Sequence, residues 1–199
     1  NDFTLWSDAV RKTPRSRSAH TNLADAYLRM NYFDQALEEV NKAVQLEPWH
    51  YQPFLTRGLI YNQKGELKKA IESFESALKR NPNDGEIYNN LAVAYGKNKQ
   101  YEEAIKAGLA ALTLNPYLSI AYNNLAINYT QAGRFDEAIE AYEEFLKIEP
   151  RRAYVHVAVG YLYKRKKDLV SAKRHWRIAS ELWKDYKPAR DALLILLAQ

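Results

Sequence analysis

The sequence predicts an all-α fold, an α-solenoid of antiparallel helix-turn-helix units, and two observations carry the prediction. The stretch Tyr88-Asn-Asn-Leu-Ala-Val-Ala-Tyr95 returns 34 residues later as Tyr122-Asn-Asn-Leu-Ala-Ile-Asn-Tyr129. Pro14, Pro48, Pro82, Pro116 and Pro150 stand at the same interval without slippage. A fixed period of about 20–50 residues means stacked units that bury their apolar faces only against one another.

Residues 1–16 read as a single capping helix, with Phe3, Leu5, Trp6 and Val10 on one stripe and Pro14 as its stop. Five units follow, at 17–50, 51–84, 85–118, 119–152 and 153–186. Position 8 of each unit is Ala24, Gly58, Ala92, Ala126 or Gly160, and position 20 is always alanine, from Ala36 to Ala172. Small residues at both places let two helices approach closely, where a larger side chain overpacks at about 1–3 kcal/mol. Position 11 is tyrosine throughout (Tyr27, Tyr61, Tyr95, Tyr129, Tyr163), a broad ring spanning the junction between units. Asn31, Gly65 and Gly133, all at position 15, predict the turn inside the pair, and proline at position 32 ends the second helix. The fifth unit departs from the pattern: Lys184 replaces the proline, Trp176 fills position 24, and Lys173 stands where Leu or Ile is usual. Residues 187–199 complete the chain as a C-terminal capping helix. Its run Leu193, Leu194, Ile195, Leu196 and Leu197 is apolar almost all round, so either the chain continues, or this face meets another molecule (a second copy included), or the helix packs on the fifth unit with its outer apolar residues tolerated.

These positions resemble the tetratricopeptide repeat over essentially the whole chain. The resemblance implies a right-handed superhelix whose first helices line a concave groove, with positions 2, 5, 6, 9, 12 and 13 facing it. In that register Asn22, Asn89, Asn90, Lys97, Asn123, Asn124, Gln131, Tyr154, Tyr161 and Arg165 are the candidate peptide-binding residues. Position 6 reads Asn22, Thr56, Asn90, Asn124 and Ala158. A primary amide both donates and accepts, so it can match a backbone amide of any extended peptide. The row is similar to the asparagine ladder of the protein O-linked N-acetylglucosamine transferases, interrupted here by Thr56 and Ala158. The carboxylate clamp of chaperone-binding members is absent, because position 2 holds Gln52, Glu86, Ile120 and Tyr154 and no arginine occupies position 6.

Composition narrows the remaining classes. With 47% hydrophobic and 27% charged residues the chain can bury a core. There is no cysteine, hence neither a disulfide scaffold nor a thiolate metal site. The sequence holds no apolar run of about 18 residues, so no transmembrane segment is expected in this chain. The net charge of +5 is concentrated: residues 151–190 hold twelve Lys/Arg against three Asp/Glu, a local balance of +9. Such an end attracts acidic partners, anionic lipid or RNA among them, but solvated terminal charge accounts for it, and no nucleic acid is expected. His20 and His156 share position 4 with Phe54, Tyr88 and Tyr122 and read as packing aromatics, while His50 and His175 lack partners at metal or triad spacing. The pairs Glu38-Glu39, Glu102-Glu103 and Glu143-Glu144 read as solvated faces. No catalytic constellation, cofactor or metal is expected.

The expected function is therefore a non-catalytic scaffold holding a peptide or helix of another protein. An alternative comes from Leu5-Trp6 to Pro14, which resembles the junction preceding repeats in polytopic mannosyltransferase-like proteins. It implies the soluble tail of a membrane-bound enzyme, in keeping with a first residue that is not methionine. A self-associating adaptor is the third expectation. A cytoplasmic location suits the scaffold, an extracytoplasmic one the tail.

Overall fold

The computed structural model describes residues 2–184 and 186–197, with side chains to residue 192, so the apolar face expected at Leu193 to Leu197 lies outside the described side chains. The elements in order are α1 (Asp2–Lys12), α2 (Arg17–Arg29), α3 (Phe33–Leu46), α4 (Tyr51–Lys64), α5 (Leu67–Leu78), α6 (Gly85–Lys97), α7 (Tyr101–Leu114), α8 (Ser119–Gln131), α9 (Phe135–Ile148), α10 (Ala153–Arg165), α11 (Leu169–Leu182) and α12 (Lys187–Leu197). No strand occurs among the described residues. The chain forms two compact units, Asn1–Leu114 with α1 to α7 and Asn115–Gln199 with α8 to α12. In both, helices pair as antiparallel hairpins: α2 with α3, α4 with α5, α6 with α7, α8 with α9, α10 with α11. Within the first unit α4 also touches α2 and α6, so the first helices of its hairpins lie side by side.

Capping explains where the first helices begin. Ser16, His50 and Asp84 occupy the last position of the preceding period and cap α2, α4 and α6. The Ser16 hydroxyl accepts from the Ala19 amide, the Asp84 carboxylate from the Glu86 and Ile87 amides, and His50 Nδ1 from the Gln52 amide at 3.2 Å. Each satisfies donors that the helix itself leaves open.

The turns inside the hairpins are more uniform than the glycines suggest. Asn31, Gly65, Lys99, Gly133 and Lys167 all have positive φ, between 60° and 81°. In every case the next residue's amide donates back to the position-11 tyrosine carbonyl, at 2.9–3.0 Å. This is the left-handed helix end in which a six-residue-wide bond closes the last turn. Lys99 and Lys167 therefore adopt a backbone that costs a side-chain-bearing residue roughly 1–2 kcal/mol. Replacing either with glycine should stabilise the protein by about 0.5–1 kcal/mol, the relief of strain outweighing glycine's extra unfolded-state freedom. Urea unfolding of Lys99→Gly and Lys167→Gly would detect it as a higher midpoint with an unchanged slope.

Core packing pairs position 8 of one helix with position 24 of its partner. Phe74 is fully buried where Gly58 leaves room, and a Cβ on Gly58 would lie 2.5 Å from the ring. Trp176 is likewise fully buried over Gly160, whose missing Cβ would collide with the indole nitrogen. That nitrogen donates to the Val157 carbonyl at 3.2 Å. The departure of Trp176 from the repeat pattern is thus one half of a matched pair. Between hairpins, Lys64 reaches Asp34 at 2.9 Å and Lys166 reaches Asp136, the same two repeat positions in each unit. Exposed pairs of this kind are screened by solvent and contribute little to stability.

Candidate functional site

In the first unit the row at position 6 divides in two. Thr56 is 1% exposed and donates its hydroxyl to the Asp25 carboxyl of the neighbouring hairpin. Burial raises the pKa of that carboxyl, and the Thr56 hydrogen bond opposes the rise. Thr56 is consequently a packing residue. Asn22 and Asn90 are half-buried, and their amides have no hydrogen-bond partner among the described residues. Asn89 is buried and engaged within the protein. Lys97 is exposed and its Nζ donates to Asn62 Oδ1 at 3.1 Å, tying α6 to α4.

In the second unit Asn123 and Asn124 are half-buried on α8, Asn124 with a partner inside the protein, and Gln131 is exposed at the helix end. Tyr154 presents an edge to Phe145 at 6.2 Å, and Tyr161 an edge to Trp176 at 5.2 Å. The Arg165 guanidinium lies 5.3 Å from the centre of the Phe135 ring, a cation–π contact. The unit also carries Tyr142, a residue the repeat pattern did not single out. It is buried, and burial pushes its phenol up to about 12.

Two histidines have polar roles beyond ring packing. His20 Nδ1 lies 2.6 Å from Glu39 Oε2, and Nε2 lies 3.0 Å from the Pro14 carbonyl, which can only accept. Glu39 is 9% exposed, so the reading of Glu38-Glu39 as a solvated pair holds for Glu38 alone. Burial raises the Glu39 pKa, but hydrogen bonds from Lys42 and His20 outweigh it and leave the carboxyl below its ordinary value. Positions 4 and 23 of the hairpin face each other, a contact between helices that one period cannot reveal. In the fifth hairpin the same two positions bring His156 Nδ1 to 3.2 Å from His175 Nδ1. Tyr163 stacks on His175 at 5.6 Å.

The histidine pair gives a defined acid response. Burial chiefly, then the charges of His156 and Arg174, lower His175 from 6.5 to about 4. Burial also lowers His156, against a bond to the Pro150 carbonyl. Unfolded histidines take up protons near 6.5 while the folded pair stays neutral, so unfolding binds protons throughout that interval. Stability present above pH 6.5 should fall as the pH drops toward about 4. The Glu39 carboxyl, lowered from 4.5, is lost only below that value. Thermal midpoints between pH 6.5 and 4.5 should flatten in His156→Phe/His175→Ser, which copies Phe54 and Ser73 at the same positions; an unchanged slope would contradict the assignment.

Among the described residues no three His, Cys, Asp or Glu side chains converge on a metal position. None of the described helices is long and apolar enough to cross a membrane.

Family comparisons agree with this geometry. Models described as tetratricopeptide repeat match residues 18–48 and 83–149, and one described as TPR repeat matches residues 58–99, together more than half of the chain. The chain belongs to the tetratricopeptide repeat family. Among solved structures, YrrB, a tetratricopeptide repeat protein, is similar over 94% of this chain and 96% of its own, at 22% identity and a TM-score of 0.77. MamA is similar over 86% and 95%, at 26% identity and 0.78. PilF of Pseudomonas aeruginosa is similar over 92% and 90%, at 22% identity and 0.74. No curated protein sequence matches the chain. Tetratricopeptide repeat proteins are typically non-catalytic scaffolds that bind other proteins, and at these identities the solved structures establish the fold.

Proposed function

We propose that this tetratricopeptide repeat protein holds an extended segment of another protein against the first helices of its hairpins. The observation that carries the reading is the pair Asn22 and Asn90, amides at one repeat position with hydrogen-bonding capacity left unused inside the protein. An amide with an idle donor and acceptor can match the backbone of a passing peptide whatever its side chains. Leu55, Leu59 and Val93, at groove-facing repeat positions of the same unit, are half-buried and can supply apolar contact beside the amides. YrrB, similar in fold, is described as a tetratricopeptide repeat protein with an unusual peptide-binding site, which is in keeping with a peptide ligand.

The test starts from peptides selected on the intact chain from a displayed random library, with affinity read by fluorescence anisotropy. Two hydrogen bonds at about 0.5–1.5 kcal/mol each predict that Asn22→Ala/Asn90→Ala weakens binding roughly tenfold. The outer-face control Glu72→Ala should leave it unchanged. An unaltered dissociation constant in the asparagine variant removes these amides from recognition.

A further inference from the structure

The second unit contains a cavity of about 550 Å³ lined by Thr130, Tyr142, Ala158, Tyr161, Leu162, Lys164 and Arg165. Its walls are apolar, and its size falls within the range that accepts a large side chain or small ligand. Ala158 helps to open it, because the asparagine of other hairpins would project there. Tyr142 adds a second phenol to that of Tyr161 in a lining that is apolar over most of its area. The equivalent residues elsewhere are Val40, Phe74, Gly108 and Trp176, none with a hydroxyl. The Tyr142 hydroxyl has no hydrogen-bond partner among the described residues, and every fully enclosed side-chain polar atom among them is satisfied. The hydroxyl is therefore not fully enclosed, and its side chain is part of the cavity wall. With a pKa pushed up to about 12 it stays protonated, able to donate as well as accept.

The charge at the mouth points the same way. Lys164 and Arg165 sit in the last turn of α10 and form no ion pair among the described residues. They belong to the stretch 151–190 with its balance of +9. Two unneutralised cations beside an apolar cavity favour an occupant whose negative charge lies next to its apolar group.

We infer that this cavity is the anchoring subsite for a partner segment carrying a tryptophan or tyrosine followed by aspartate or glutamate. The ring enters between Tyr142 and Tyr161, its polar edge meets the Tyr142 hydroxyl, and the carboxylate meets Lys164 and Arg165. This rests on the proposed peptide-binding function and assigns it a residue preference.

Nuclear magnetic resonance titration of the intact chain with N-acetyl-Trp-Asp-amide tests it. Shifts should concentrate at Thr130, Ala158, Leu162 and Lys164 and saturate. Replacing the probe's Asp with Asn, or using Lys164→Gln/Arg165→Gln, should weaken binding about tenfold, as lost charge-assisted hydrogen bonds require. Tyr142→Phe should weaken it less, and Ala158→Phe should abolish it by filling the cavity. N-acetyl-Trp with a free carboxylate should bind more weakly; equal binding would reassign the site to a chain terminus. Dispersed or absent shifts, or indifference to the charge-neutral variant, overturn the proposal. Should the probe fail while library peptides still depend on Asn22 and Asn90, only the subsite falls; should the reverse occur, the asparagine surface falls and the cavity stands.

Discussion

Gly160→Ala is expected to lower the stability of the protein by about 2–4 kcal/mol, although alanine favours a helix over glycine by about 1 kcal/mol. The added methyl would collide with the Trp176 indole, which is fully buried and cannot swing into solvent. Moving the ring also breaks the bond from its nitrogen to the Val157 carbonyl and strands a buried donor, a cost of about 1–3 kcal/mol. The loss should vanish when the ring is shortened. The first hairpin carries Ala24 opposite Val40, so Gly160→Ala with Trp176→Val reproduces a packing the protein already contains. A double-mutant cycle by chemical denaturation should return a coupling of about 2 kcal/mol or more. Additive effects would mean that the ring relaxes without cost, contrary to the packing described.

The second large effect is expected at the opposite end. His20→Ala should cost about 2–3 kcal/mol, within the range for buried polar groups left short of a hydrogen bond, because Lys42 still reaches Glu39. The substitution leaves Glu39 in a pocket 9% exposed and deprives the Pro14 carbonyl of its donor. Since Pro14 belongs to the connection between α1 and α2, the loss should also appear as faster trypsin cleavage near Lys12 and Arg15. His20→Phe/Glu39→Ser copies Phe54 and Ser73 and should recover most of the stability. If His20→Ala behaves like a surface substitution, within about 0.5 kcal/mol, the pair has no structural role.

The repeat made the fold legible because one rule is written five times. Tyrosine at position 11 and alanine at position 20 describe contacts that every hairpin makes, and proline at position 32 closes the first four, so the period alone places them. Contacts that differ from hairpin to hairpin are invisible to that reading. His20 with Glu39, and Gly160 with Trp176, are each a correlated pair lying on two helices, and each member alone looks like scatter around the pattern. Lys99 and Lys167 escaped for another reason: the hairpin imposes a left-handed turn even on a residue type that never signals one. Among the candidate binding residues the sequence ranks all position-6 groups alike. Only the packing separates Thr56, spent on Asp25, from Asn22 and Asn90, and only the packing reveals the cavity beneath Tyr142.

Tandem arrays grow and shrink by unequal crossing-over, and the matched glycine and ring restrict where such exchanges succeed. A breakpoint falling between position 8 and position 24 would set a glycine over a valine, leaving a void, or an alanine under an indole, leaving a collision. Breakpoints in the connections between hairpins transmit both halves together. The hairpin, rather than the single helix, is then the smallest heritable part of this protein, and descendants of such an array should exchange it whole.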